Sequence, residues 1–186
     1  QNNLRTALAW SLGEGQEPRL GLRLAAALGS YWETSCTWKE GRQWLQSALA
    51  QTTEPHAVRG RALVKLGELH HLLEESILAE QHLQEGLALW QTLADRLSIA
   101  YTYLQLGKVY ATRAEHEQAK ALLSESLTLY RQLGHRWGIA TLLNQLGSME
   151  IHLGNYEQAN QLLDEAWPLV QRMEQRPTIG VAANLL

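Results

Sequence analysis

The sequence predicts an all-α fold, a solenoid in which antiparallel helix hairpins stack one on the next. Residues 96–134 (RLSIAYTYLQLGKVYATRAEHEQAKALLSESLTLYRQLG) return at an offset of 40 as residues 136–174. The copies share Ile99/Ile139, Ala100/Ala140, Leu106-Gly107/Leu146-Gly147, Glu117-Gln118-Ala119/Glu157-Gln158-Ala159 and Leu122-Leu123/Leu162-Leu163. Run backwards, the same offset carries Leu106-Gly107 to Leu66-Gly67, Ala119 to Ala79 and Leu123 to Leu83, and a further 38 residues reach Leu28-Gly29, Gly41 and Leu45. Apolar residues recur at helical spacing, and no stretch shows sustained two-residue alternation with β-branched enrichment, so no strand is expected. Units that repeat in register at this length bury on their neighbours the faces that one hairpin leaves open.

Leu4, Ala7, Leu8 and Leu12 set helical spacing over 4–12, a partial helix of an incomplete upstream repeat or linking segment. Gly13, Gly15 and Pro18 interrupt the chain; Pro18 suits the first turn of a helix, where its missing N–H costs nothing. The first full repeat, 20–52, pairs a helix over 19–34, carrying Leu22, Ala25, Ala26 and Trp32, with one over 38–51, carrying Trp38, Trp44, Leu45 and Leu49. The second, 58–94, has helices over 56–72 and 76–94. The third, 98–134, has helices over 96–113 and 117–134, and Gly134 ends it as a residue able to take positive φ. The fourth, 138–174, has helices over 136–153 and 157–174, divided at the turn-forming pair Gly154-Asn155. The tail RPTIGVAANLL sets Arg176 against Arg136 and Ile179 against Ile139, so 176–186 reads as a truncated fifth repeat. Residues 1–186 are therefore expected to be one repeat domain excised from a longer chain, an expectation that the missing initiator methionine shares.

Gly29, Gly67, Gly107 and Gly147 recur inside otherwise good helices, where glycine costs about 1 kcal/mol relative to alanine. A cost repeated at one phase predicts a packing role. With Gly41, Ala79, Ala119 and Ala159 on the following helix, these glycines are expected to bring the two helices of each repeat close together. Leu45, Leu83, Leu123 and Leu163 then fill the seam.

A net charge of -3 and a pI near 6.2 give no electrostatic footprint for nucleic acid, so no direct nucleic-acid contact is expected. The single cysteine, Cys36, excludes an internal disulfide and suits a reducing, cytoplasmic setting. No run of 18 apolar residues offers a membrane span, and the N-terminus lacks a signal-peptide pattern.

Chemistry-bearing patterns are sparse. No GxxxxGK[ST] phosphate loop is present, so nucleotide hydrolysis, and a bound cofactor with it, is not expected. The seven histidines form no close ligand set. His70-His71 with Glu74-Glu75 is not HExxH and reads as structural or solvent-facing rather than as a metal site. Cys36 falls at a turn with no histidine nearby in sequence, and no catalytic residue is assigned. The carboxylates Glu74, Glu75, Glu80, Glu85, Glu115, Glu117 and Glu125 read mostly as solvated faces. Trp32, Trp44 and Trp167 read as packing residues; Trp167 with Val170 would also be left uncovered where a fifth repeat is cut.

The residues also carry a family resemblance. Tyr103, Leu106, Gly107, Tyr110, Ala119 and Leu123 follow the pattern of the tetratricopeptide repeat, aromatic-x-x-Leu-Gly-x-x-aromatic followed by Ala-x-x-x-aromatic, with leucine for the last aromatic. The other copies read Leu143, Leu146, Gly147, Glu150, Ala159 and Leu163, then Leu63, Leu66, Gly67, His70, Ala79 and Leu83, and most divergently Ala25, Leu28, Gly29, Trp32, Gly41 and Leu45. GNYEQA at 154–159 is similar to the family's inter-helix turn. The spacing of 38 to 40 exceeds the usual 34, as in long-period members. The resemblance implies a right-handed superhelix that binds a protein or peptide, or a small inducer, on its concave face without catalysing a reaction.

A second resemblance concerns context. NNLRTALAWSL and GLRLAAALGSYWETSCTWKEGRQWLQSALA, within 2–50, resemble the start of the helical repeat region that follows the nucleotide-binding and winged-helix parts of large bacterial signal-transduction ATPases, LuxR-type transcriptional regulators included. It implies that the repeats sense a ligand or partner and help control an ATP-driven switch. The alternative is a free-standing adaptor that binds a peptide or helix of a partner. The family's usual contact positions, on the first helix of each repeat, fall on Arg23, Ser30 and Glu33, on Arg61, Glu68 and His71, on Tyr101, Leu104 and Lys108, and on Thr141, Asn144, Ser148 and His152. The surface lacks the lysine and arginine clamp with which some members hold a peptide's terminal carboxylate.

Overall fold

The structure, a computed structural model, describes residues 2–13, 15 and 17–174. Their regular structure is entirely helical: α1 (Asn2–Leu12), α2 (Pro18–Thr34), α3 (Trp38–Ala50), α4 (Ala57–Leu72), α5 (Ser76–Thr92), α6 (Arg96–Thr112), α7 (His116–Leu133), α8 (Arg136–His152) and α9 (Tyr156–Glu174). Each lies within two residues of its sequence-predicted span, and Pro18 takes the first turn of α2. The expected fifth repeat lies outside the described residues. No described helix is long and apolar enough to cross a membrane.

The chain divides into two compact units, one running to Asp95 and one starting at Arg96. In the first, α2 packs against α3 and α4 against α5, α4 also lies on α2 and α3, and α1 closes the end on α2 and α3. Leu8, Leu22, Ala25, Trp32, Leu45, Ala48, Leu63 and Leu66 are buried together at its centre. In the second unit α6 pairs with α7 and α8 with α9, and α8 lies on α7 and touches α6. Its core gathers Ala100, Leu104, Leu123, Tyr130, Leu142, Leu143, Leu146 and Ala166. Burying each leucine fully contributes about 1.5–3 kcal/mol.

Six helix ends are closed the same way. An N–H just past the cap donates back to the carbonyl five residues earlier: Thr37 to Trp32, Glu75 to His70, Asp95 to Trp90, Glu115 to Tyr110, His135 to Tyr130 and Asn155 to Glu150, at 2.8–3.1 Å. This bond satisfies a carbonyl the helix leaves open, and it requires a left-handed residue in between. Only Gly134 (φ 65°) and Gly154 (φ 80°) are glycines. Cys36, Glu74, Ala94 and Ala114 take the same conformation at φ 54–62° and bear its steric cost.

The expected close approach is present in three hairpins. A β-carbon on Gly67 would stand 2.6 Å from Leu83 Cγ, one on Gly107 2.7 Å from Leu123 Cγ and Cδ2, and one on Gly147 3.0 Å from Leu163. The first hairpin departs. Gly29 faces the stem of Lys65 on α4, and the close approach is made at Gly41, where a β-carbon would stand 2.6 Å from the Trp32 ring. Trp32 and Trp44 pack on the core as expected, whereas Trp167 is 63% exposed. On α9 the buried face runs through Ala159 and Ala166, seven residues apart, and Trp167 stands about 100° around the helix from it.

Two predictions follow from these contacts. Gly67→Ala and Gly107→Ala should each lower stability by up to about 2 kcal/mol, overpacking of about 1–3 kcal/mol offset by about 1 kcal/mol of helix propensity. Gly147→Ala should be nearly neutral, because Leu163 is only half-buried and can yield. Urea unfolding midpoints will rank the three. Ala94→Gly and Ala114→Gly should raise stability by up to about 1 kcal/mol, since the left-handed cost of about 1–2 kcal/mol exceeds the chain-entropy cost of glycine; thermal unfolding of each variant reads this directly.

Candidate functional site

Two polar clusters, each built on one buried group, tie the first helix of a hairpin to the hairpin before it. In the first unit Arg42 on α3 donates to Glu75 Oε1 at 2.6 Å, and His70 Nδ1 on α4 donates to Glu75 Oε2 at 2.5 Å. His70 is fully buried and stacks on His82 with ring centroids 5.2 Å apart. In the second unit Lys120 on α7 donates to Glu150 Oε1 at 2.6 Å, and Asn155 Nδ2 donates to Glu150 Oε2 at 2.7 Å. The repeat register makes His70 and Glu150 equivalent, likewise Glu75 and Asn155, and Arg42 and Lys120. One arrangement therefore occurs twice, with the carboxylate at the turn in one unit and inside the helix in the other.

The electrostatics follow from these bonds. Arg42 and then His70 hold the Glu75 carboxyl below its ordinary range, and Lys120 and then Asn155 do the same for Glu150. Burial lowers His82, with the nearby His70 adding to it, and burial lowers His135. The structure thus gives His70 a packing and hydrogen-bonding role, while Glu75, expected on a solvated face, is half-buried and doubly bonded because the preceding hairpin brings Arg42 over it. Among the described residues no group of three or more His, Cys, Asp or Glu is placed to hold a metal ion. Cys36 is exposed at its turn.

In the first unit Arg23, Ser30 and Glu33 on α2 and Arg61 on α4 are exposed, and His71 is half-buried. Glu68 is buried and accepts from Lys65 Nζ at 2.6 Å; the same ammonium lies 3.9 Å from Glu33. Lys65 thus bridges the two helices between two of the expected positions. The resemblance does not point to it, yet its spacing, four after Arg61 and three before Glu68, puts it on their face. Arg23 is set apart from this cluster. It lines a cavity of about 440 Å³ at the start of α2.

In the second unit Tyr101 and Lys108 on α6 and Thr141 on α8 are half-buried, and Asn144, Ser148 and His152 on α8 are exposed. His152 Nδ1 donates to the Ser148 carbonyl at 2.6 Å, holding the ring along the last turn of α8. Leu104 is 1% exposed and belongs to the unit's core, so its side chain offers no surface.

A family model described as tetratricopeptide repeat matches residues 58–132 and 98–171. No curated protein matches the sequence. Among solved structures, the chain is similar to BtubC from P. vanneervenii, with a TM-score of 0.79 and 18% identity over 95% of this chain and 76% of that one. It is similar to MamA, with a TM-score of 0.63 and 17% identity over 83% and 81% of the two chains. It is also similar to the Rap conjugation gene regulator of plasmid pLS20, solved in complex with the Phr* peptide, with a TM-score of 0.68 and 16% identity over 79% of this chain and 41% of that one. At these identities the likeness is one of fold.

The shifted groups predict three limbs in stability against pH. His82 and His135 have folded values below 6.5, so the stability they contribute is present above pH 6.5 and is lost as pH falls through the folded values. Glu75 and Glu150 add a second loss below pH 4.5, again because the folded value is the lower one. Burial pushes Tyr130 from 10.0 up to about 12, so its contribution is present below pH 10 and lost as pH rises toward 12. Denaturant midpoints measured across pH should flatten in the first limb for His82→Asn and in the alkaline limb for Tyr130→Phe.

Proposed function

Because the chain belongs to the tetratricopeptide repeat family, we propose that it is a non-catalytic interaction scaffold, and that within a longer cytoplasmic protein it is the partner-sensing region of an ATP-dependent signalling or transcriptional regulator. The family match over 58–171 carries the first part. A regulator of similar fold solved with a peptide supports it. The resemblance of residues 2–50 to the repeat regions of bacterial signal-transduction ATPases supports the second part.

Each unit offers its own face. On α2 and α4 three cations, Arg23, Arg61 and Lys65, accompany two carboxylates, Glu33 and Glu68, of which Glu68 is buried against Lys65. On α6 and α8 Lys108 stands with the polar groups of Tyr101, Thr141, Asn144, Ser148 and His152, and no carboxylate belongs to the set. Both faces favour a helix or loop of a partner protein that carries acidic and polar side chains, through charge-assisted hydrogen bonds. With a net charge of -3, nucleic acid is not the partner proposed.

A peptide selected on the immobilised chain from a displayed library should bind saturably. Arg61→Ala, Tyr101→Ala and Lys108→Ala each test a contact, and loss of one such contact should weaken binding about tenfold, or 1.4 kcal/mol. Fluorescence anisotropy with the labelled peptide measures this. Unchanged affinity in all three variants moves the site off these faces.

A further inference from the structure

The cavity of about 440 Å³ lies wholly in the first unit, where α2 and α4 begin and α3 ends. Its volume falls within the range of about 300–1,000 Å³ that small-molecule pockets occupy and far exceeds what one ion needs. Side-chain bonds to the backbone hold its walls. Arg59 Nη1 donates to the carbonyls of Leu49 and Thr52, pinning the end of α3 to α4, and the Thr52 hydroxyl donates to the Ala48 carbonyl. Gln51 donates to the Leu12 carbonyl and ties the end of α1 to the same point. A frame tied in this way costs a ligand little ordering on entry.

The lining divides by chemistry. Pro18, Leu22 and Val58 supply an apolar side. Arg19 and Arg23 stand one turn apart on α2, and Glu54 neutralises Arg19 through an ion pair. Arg23 has no ion-pair partner among the described residues, so the cavity keeps a net charge of one cation. His56 caps α4: its Nδ1 accepts from the Val58 N–H at 3.0 Å, which puts the ring hydrogen on Nε2 and makes that nitrogen a donor. One unpaired guanidinium, one fixed neutral donor and an apolar wall match a single negative charge joined to an apolar body.

We propose that this cavity binds a small monocarboxylate with an apolar body, its carboxylate on Arg23 and its body against Pro18, Leu22 and Val58. The guanidinium fork pairs with both carboxylate oxygens, a geometry that lysine does not reproduce. The site differs in kind from the partner faces, since it is a pocket for a molecule rather than a surface for a chain segment.

The probe is 4-fluorobenzoate, followed by fluorine NMR line broadening on the purified chain. Saturable binding is expected. Arg23→Gln should weaken it about tenfold or more, the size of a lost charge-assisted hydrogen bond, while Arg136→Gln, exposed at the start of α8, should leave it unchanged. The neutral analogue 4-fluorobenzamide should fail to saturate, and inorganic phosphate at matched ionic strength should not displace the benzoate. Arg23 is exposed, and unaltered thermal unfolding of Arg23→Gln separates lost binding from lost fold. Non-saturable binding, equal affinity in Arg23→Gln, equal losses in the two variants, or displacement by phosphate would each overturn the assignment. Peptide binding through Arg61, Tyr101 and Lys108 is measured separately, so failure of that reading and failure of this one are distinguishable.

Discussion

A leucine seated where a β-carbon is missing sets the distance between the two helices of a hairpin. Leu83 on Gly67 and Leu123 on Gly107 lie closer than any side chain at the glycine would allow, and both leucines are fully buried. Glycine inside a helix costs chain entropy, but the contact it permits recovers the burial of a whole leucine. A second version of the device puts an aromatic ring on the glycine. Trp32 lies over Gly41, Trp90 over Gly60 and Tyr130 over Gly138, so wide flat side chains fill the same kind of gap where helices meet at other positions. With helix spacing set in this way, the rotation of each helix about its axis follows, and so does the choice of residues left outward.

The polar clusters at His70 and Glu150 occupy a register position held by Trp32 and Tyr110 in the other repeats. A polar group there is tolerable only when it is bonded, because an unpaired buried charge would cost several kcal/mol. Each cluster meets that condition with a cation from the preceding hairpin and a residue from the turn just beyond the helix. The bonds reach across hairpins, so they do what the aromatic does by packing and add a dependence on protonation. That the carboxylate can change places between turn and helix, with its cation unmoved in register, indicates that the constraint lies on the set of three and not on any one residue.

Much of the fold was legible because its determinants are periodic. Glycine, leucine and alanine recur at a fixed phase, and the helix limits follow from them within two residues. Turn chemistry was legible only at Gly134 and Gly154. The left-handed conformation at Cys36, Glu74, Ala94 and Ala114 has no local signal, since the six-residue hydrogen bond that imposes it is a property of the packed hairpin. Side-chain partners were less visible still. Glu75 looks solvated in sequence because Arg42, which covers it, lies 33 residues away. Lys65 bridges Glu33 and Glu68 across two helices, and Leu104, at an expected contact position, turns into the core. The cavity was not legible at all, being formed where three helix ends meet.

Arg23 connects the two kinds of site. It stands on the outward face of α2 with Ser30 and Glu33, and it is also the cation that Glu54 leaves uncompensated at the cavity. One guanidinium has a limited number of donors, so a carboxylate seated on it withdraws it from a partner segment on the same helix. Linkage then requires reciprocity. Whatever factor a bound carboxylate takes from the partner's affinity, the bound partner must take from the carboxylate's. If the partner does not use Arg23, coupling would need a second arrangement of the walls that breaks ties such as those from Gln51, Thr52 and Arg59, since a ligand shifts an equilibrium only when it distinguishes two states. In the first unit the shared side chain of Arg23 is therefore the direct route by which the two proposed sites would couple.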